Sequence, residues 1–151
     1  MNALKLLKKD HSAVKSLFAK FDRTGKTSYD KKAELFGQVR RELQLHSKVE
    51  EEIFYPILKA RNGDGRRLVT EALREHREVD ELLLQIARLK VSNDNFDEKM
   101  ETLIENVEHH IEEEEGEIFQ FVEENCFEEE LENVGVELEK RKKTLEQQMA
   151  A

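Results

Sequence analysis

His46-Ser47-Lys48-Val49-Glu50-Glu51-Glu52-Ile53-Phe54-Tyr55-Pro56 is the stretch that decides how this 151-residue sequence is read. On an α-helix, residues four apart lie on one face, one turn above the other. The His46 imidazole and the Glu50 carboxylate therefore stand side by side, and such a pair from adjacent turns is half of a metal site. Alone, it reads as well as a helix ion pair worth about 0.2–0.5 kcal/mol. The stretch has a near copy, however, in His110-Ile111-Glu112-Glu113-Glu114-Glu115-Gly116-Glu117-Ile118-Phe119. In both, the histidine is followed by Glu at plus four and plus five and by an aromatic residue, Tyr55 or Phe119, at plus nine.

The copy extends upstream. Aligning His11 with His76 sets Asp10 against Glu75, Val14 against Val79, Leu17 against Leu82, Phe18 against Leu83 and Phe21 against Ile86. His46 follows His11 by 35 residues and His110 follows His76 by 34. The departures are one deleted residue and Gln120 in the place of Pro56. A helical hairpin is written twice, which predicts an all-α, up-down-up-down four-helix bundle with a pseudo-two-fold axis.

Helix one is expected from about Asn2 to Arg23, with Leu4, Leu7, His11, Val14, Phe18 and Phe21 on one stripe. Thr27 or Ser28 is placed to cap helix two, which runs from about Tyr29 to Arg61 and should kink or break locally near Pro56. Asn62-Gly63-Asp64-Gly65 reads as a turn, helix three as about Arg66 to Lys90, and helix four as following Ser92-Asn93-Asp94-Asn95 to about Glu124. This places the bundle in residues 1–124. Residues 125–151 hold a fifth amphipathic helix, about Phe127 to Met149, too polar for a core helix and packed on the bundle or on a second subunit.

Composition agrees. Lys and Arg number 25 against 34 Asp and Glu, a net charge of −9, which disfavours nucleic acid and anionic membranes as partners. Good helix formers dominate, with one proline and six glycines. No apolar run matches a membrane span, and Met1 to Lys9 lacks a signal-peptide block, so the expected location is cytoplasmic. Cys126 is the single cysteine, which excludes a disulfide framework and a cysteine metal site.

Helix lengths bring the histidines to one level. At a rise of about 1.5 Å per residue, Glu50 lies about 16 Å before the end of helix two and His76 about 15 Å past the start of helix three. His76 to Lys90 spans about 21 Å and Asn95 to His110 about 22 Å, while His11 to Arg23 spans about 18 Å against about 24 Å from Asp30 to His46, a mismatch of roughly one turn. The inward set is His11, His46, Glu50, His76, His110 and Glu114. Four imidazoles and two carboxylates in an apolar bundle need partners, since a buried unpaired carboxylate is very costly. Two metal ions satisfy the set, each taking two imidazoles and sharing the carboxylates as bridges, with coordination positions left open. Carboxylate oxygen leans toward iron or manganese. His109 points about 100° away from His110. It pairs with Glu113 in an alternative register and is expected to be exposed or to support the site from behind. The remaining glutamates of both runs read as solvated faces, and Phe54, Tyr55 and Phe119 as core.

The pattern His-x-x-x-Glu, with Asp10-His11, Glu75-His76, His46 through Phe54-Tyr55-Pro56 and His110 through Phe119, resembles the haemerythrin-like HHE cation-binding family over about Leu4 to Phe121. The resemblance implies a bundle enclosing two non-haem iron ions, oxo- or hydroxo-bridged, with manganese or zinc as substitutes. It makes His11, His46, His76 and His110 terminal ligands and Glu50 and Glu114 bridges. Two positions depart from relatives: Asp80 stands where oxygen carriers have a further histidine, and is expected to pair with a cation, and Ser47 stands where some relatives have Glu. The expected function is binding or sensing of a small ligand, O2, NO or peroxide, at the iron pair. The competing readings are a diiron oxidoreductase acting on peroxide or nitric oxide, with Tyr55 as a candidate proton donor, and iron storage or delivery.

Overall fold

The computed structural model describes residues 1–150 and is helical throughout. The helices are α1 (Ala3–Asp22), α2 (Tyr29–Val49), α3 (Tyr55–Lys59), α4 (Gly63–Ala87), α5 (Asp94–Glu113), α6 (Phe119–Asn125) and α7 (Glu128–Ala150). Helices α2 and α3 are one continuous rod joined by a π turn at Glu50–Phe54, and α5 and α6 are another, joined by a π turn at Glu114–Ile118. With α1 and α4 these rods make the expected antiparallel bundle, α1 packing on α2 and α4 on α5.

Side-chain caps set three of the helix starts. Asn2 accepts from the Lys5 N–H, Asn62 from the N–H groups of Asp64 and Gly65, and Asn93 from that of Asn95. Asn62 capping starts α4 at Gly63, so most of the expected Asn62–Gly65 turn is the first turn of the helix. Gly65 is required there because a Cβ would lie 2.1 Å from the Leu58 carbonyl oxygen. Ser28 sits at the N-cap of α2 but makes no capping hydrogen bond.

The break expected at Pro56 is instead absorbed one turn earlier. The Tyr55 N–H bonds to the Glu50 carbonyl, five residues back, which widens the helix ahead of a residue that cannot donate. Proline is not the cause, because Phe119 N–H makes the same bond to Glu114 in the second copy, where Gln120 replaces it.

Two apolar clusters fill the bundle. One runs from Val14, Phe18 and Phe21 through Val39, Leu83, Ile86, Met100 and Leu103. The other gathers Leu4, Leu7, Val49, Phe54, Leu58, Val69 and Phe119. Between them, on all four rods, lie the histidines. The fifth helix is more apolar in practice than its sequence suggests. Leu131, Val134, Leu138 and Leu145 of α7 are buried in the second cluster, against α1 and α2. Gly135 lets α7 close on the N-terminus, where a Cβ would stand 2.1 Å from the Met1 carbonyl oxygen.

Candidate metal centre

Glu50 and Glu114 are fully buried at the middle of the bundle, each at the residue where its helix enters the π turn. The four imidazoles surround them with Nε2 inward, in two pairs. His11 Nε2 and His46 Nε2 face each other at 3.2 Å, as do His76 Nε2 and His110 Nε2. Glu114 reaches both pairs, with Oε1 3.1 Å from His11 and Oε2 3.3 Å from His110. Glu50 Oε1 also spans them, 3.1 Å from His46 and 3.4 Å from His76. All six residues expected from the sequence meet, as two overlapping donor groups: His11, His46, Glu50 and Glu114, and Glu50, His76, His110 and Glu114. Within each, the donor atoms lie within 4.8 Å of one another.

The orientation of the imidazoles is set from behind. Asp10 accepts from His46 Nδ1 at 3.0 Å and Glu75 from His110 Nδ1 at 2.6 Å, each within its own hairpin. Glu115 accepts from His11 Nδ1 at 2.7 Å and Glu51 from His76 Nδ1 at 2.8 Å, each across to the other hairpin. A carboxylate on Nδ1 fixes the tautomer and leaves Nε2 free to bind a cation. Two of these acids correct the reading of the glutamate runs as solvated faces: Glu51 and Glu115 are partly exposed yet hold the histidines. The signal for all four was in the repeat, as Asp10 aligned with Glu75 and as the plus-five glutamates.

Tyr55 is likewise more than core. Its buried hydroxyl donates to Glu114 Oε2 at 2.6 Å and lies 3.2 Å from both Glu50 Oε1 and His76 Nε2. Its repeat partner Phe119 stacks on His11, with ring centroids 6.0 Å apart. One half of the site therefore has a hydroxyl where the other has a phenyl ring.

The donor set fits cations. Glu50 Oε2 is buried with no hydrogen-bond partner, an unusual state for a buried oxygen. Burial disfavours charge on His46, yet Glu50 and hydrogen bonds to Asp10, Glu114 and Glu50 raise it well above the ordinary imidazole value. Burial is outweighed in the same way at His76, raised to about 9 by Glu50 and Glu51, and at His110, raised to about 10 by Glu114 and Glu75. Protons thus hold the place that positive ions can take. Burial and the charges of Glu114 and Glu50 push Tyr55 up, so its hydroxyl keeps its proton.

The hemerythrin HHE cation binding domain matches residues 2–122. The chain belongs to this family. The HHE fold agrees with a solved structure, that of a hemerythrin HHE cation binding domain-containing protein from Mycobacterium kansasii, which is 27% identical with a TM-score of 0.84 over 95% of this chain and 86% of that one. Among curated relatives, a protein named DNA nickase from Nostoc is 28% identical over 99% of this chain, but the match spans only 41% of its length. An uncharacterised hemerythrin-like protein of Schizosaccharomyces pombe is 29% identical over 89% of this chain and 66% of its own. The HHE domain is a non-haem metal-binding domain, and this chain carries its histidine and glutamate clusters.

Around the HHE site, a cavity of about 20 Å³ lies against all four imidazoles, walled by Val14, Leu43, Val79, Val107 and Ile111. Ser47 lines it and also lines the surface groove between α2 and α4 that holds Glu51 and Asp80. Ser47 and Asp80 thus border one groove. Asp80 makes no ion pair among the described residues, contrary to expectation. Burial and the nearby Glu51 charge raise its pKa. Among the described residues, no helix is long and apolar enough to cross a membrane.

Proposed function

We propose that this protein is a diiron-binding HHE domain that binds or senses a single small molecule, O2, NO or peroxide. The observation that carries this reading is the apolar cavity of about 20 Å³ set against the four inward-facing imidazoles, which share Glu50 and Glu114 as a common pair of carboxylates. A water needs about 10–15 Å³ of such space, so the cavity suits one diatomic ligand.

His11 and His46 would hold one ion, His76 and His110 the other, and Glu50 and Glu114 would be shared. Bound iron would supply open coordination positions and reversible redox chemistry. The protein residues supply the rest. Asp10, Glu51, Glu75 and Glu115 fix the rings, the valines and leucine exclude bulk water, and Ser47 gives the smallest side chain between groove and cavity. Anaerobic loading with Fe2+ followed by titration with O2 or NO tests the reading. A ligand-dependent visible spectrum at two iron ions per chain is expected, and no iron-dependent change would overturn it.

Tyr55 favours a second reading, reduction of peroxide or nitric oxide, because its protonated hydroxyl lies within 3.2 Å of Glu50, Glu114 and His76. Under that reading, Tyr55→Phe keeps ligand binding and slows turnover. Equal loss of both would reject it.

A further inference from the structure

The two hairpins place equivalent carboxylates behind their histidines, and the surroundings of the two differ. Behind Asp10, α7 supplies an ammonium: Lys142 Nζ donates to Asp10 Oδ1 at 2.7 Å while Asp10 Oδ2 takes the His46 N–H. Behind Glu75, no lysine or arginine pairs with the carboxylate among the described residues. Glu75 Oε1 takes the His110 N–H. Its Oε2 faces His109 Nε2 at 4.0 Å. His109 Nε2 in turn lies 3.0 Å from Glu113 Oε1. One donor atom from each of Glu75, His109 and Glu113 lies within 4.8 Å of the others.

A largely buried acid here faces a surface pair. Glu75 is 8% exposed, whereas the side chains of His109 and Glu113 are 65% and 38% exposed. The Glu75 and Glu113 carboxylates each place a donor atom within 4.8 Å of the other, with no lysine or arginine paired to either among the described residues. In the first hairpin an ammonium meets the same need. In the second the donors are an imidazole and two carboxylates from two helices, a set suited to a divalent first-row ion.

We propose that Glu75, His109 and Glu113 form an outer site for a divalent cation such as Fe2+, Mn2+ or Zn2+, at the surface directly behind His110. The site shares only Glu75 with the buried donors, which would bind the ion through one oxygen and the His110 N–H through the other. It does not rest on the diiron reading, and it places a cation-capture point one side chain away from the centre.

Calorimetric titration of the metal-stripped protein with Zn2+ tests it. Three equivalents are expected for the wild type, two at the buried donors and one weaker. His109→Ala and Glu113→Gln, both at the surface, should keep two and bind the third at least tenfold more weakly. Glu75→Gln should weaken the third equivalent likewise and, because Glu75 also holds His110, should weaken one buried equivalent as well. Uptake of only two equivalents by the wild type overturns the proposal, as does a third equivalent unaffected by His109→Ala and Glu113→Gln. Wild-type affinity in Glu75→Gln also overturns it, because the His109–Glu113 helix pair would then be acting alone. Loss of the two buried equivalents with a His109-dependent one retained would reject the diiron reading and leave this one standing.

Discussion

Lys142 of α7 donates to Asp10 at 2.7 Å, and Asp10 in turn holds His46, so the fifth helix reaches the centre through one carboxylate. The neighbouring Arg141 also binds the bundle, at Glu52, but that pair is exposed and touches no histidine. The two residues separate anchoring of α7 from support of the site.

Lys142→Met should cost about 1.5–3 kcal/mol, the range for a hydrogen bond to a charged group. Arg141→Ala should cost clearly less, as for an exposed ion pair. Urea denaturation of the metal-stripped protein reads both. Lys142→Met should also raise the His46 pKa in an NMR titration, because a positive charge leaves the Asp10–His46 pair. Equal stability losses in the two variants would mean that Lys142 only anchors the helix.

Glu51→Ala and Glu115→Ala test the support across the hairpins. Each frees an imidazole Nδ1, at His76 or His11, without opening the core. Metal affinity, measured against a competing chelator, should fall about 10–100-fold in each, the usual effect of losing such a partner. Unchanged affinity would make these acids ordinary surface residues.

Tyr55→Phe removes the hydroxyl that donates to Glu114 Oε2. A buried carboxylate oxygen then loses a donor, and the metal-stripped protein should lose about 1–3 kcal/mol of stability. Uptake of two metal ions should persist, since Tyr55 is not among the six inward donors. Loss of uptake in a folded variant would make the hydroxyl part of the binding set.

The pH dependence follows from the raised imidazoles. A free imidazole titrates near 6.5, whereas His76 and His110 are raised to about 9 and about 10 and His46 well above its usual value. Their protonation stabilises the metal-stripped fold fully below about pH 6.5, and that stability is lost as pH rises through about 9 to 10. Metal binding must displace the same protons, so affinity should climb over this window, with roughly three protons released per loaded chain at pH 7. Thermal melts and calorimetry in buffers of different ionisation enthalpy measure both trends. A pH-independent affinity would show that these imidazoles are not the donors.

The His-x-x-x-Glu pairs, the duplicated hairpin and the common level of His11, His46, His76 and His110 were legible because all obey the α-helical period. Tyr55 was not. Nine residues from His46, a straight α-helix would turn it about 180° away. The π turn at Glu50–Phe54 adds a residue to the turn and swings Tyr55 back beside Glu50. Glu51 and Glu115 were hidden for a related reason. They point off the core stripe, toward a histidine on another helix that no local pattern can locate.

The sequence by itself determined the helical class, the repeat and the six inward donors, since periodic burial and side-chain chemistry are local properties of the chain. Tertiary structure alone decided which acid holds which imidazole, that α7 belongs to the core and carries Lys142 to Asp10, and that Glu75 faces His109. Those relations join residues distant in sequence, and their geometry depends on how rods pack and where a π turn shifts the helical phase.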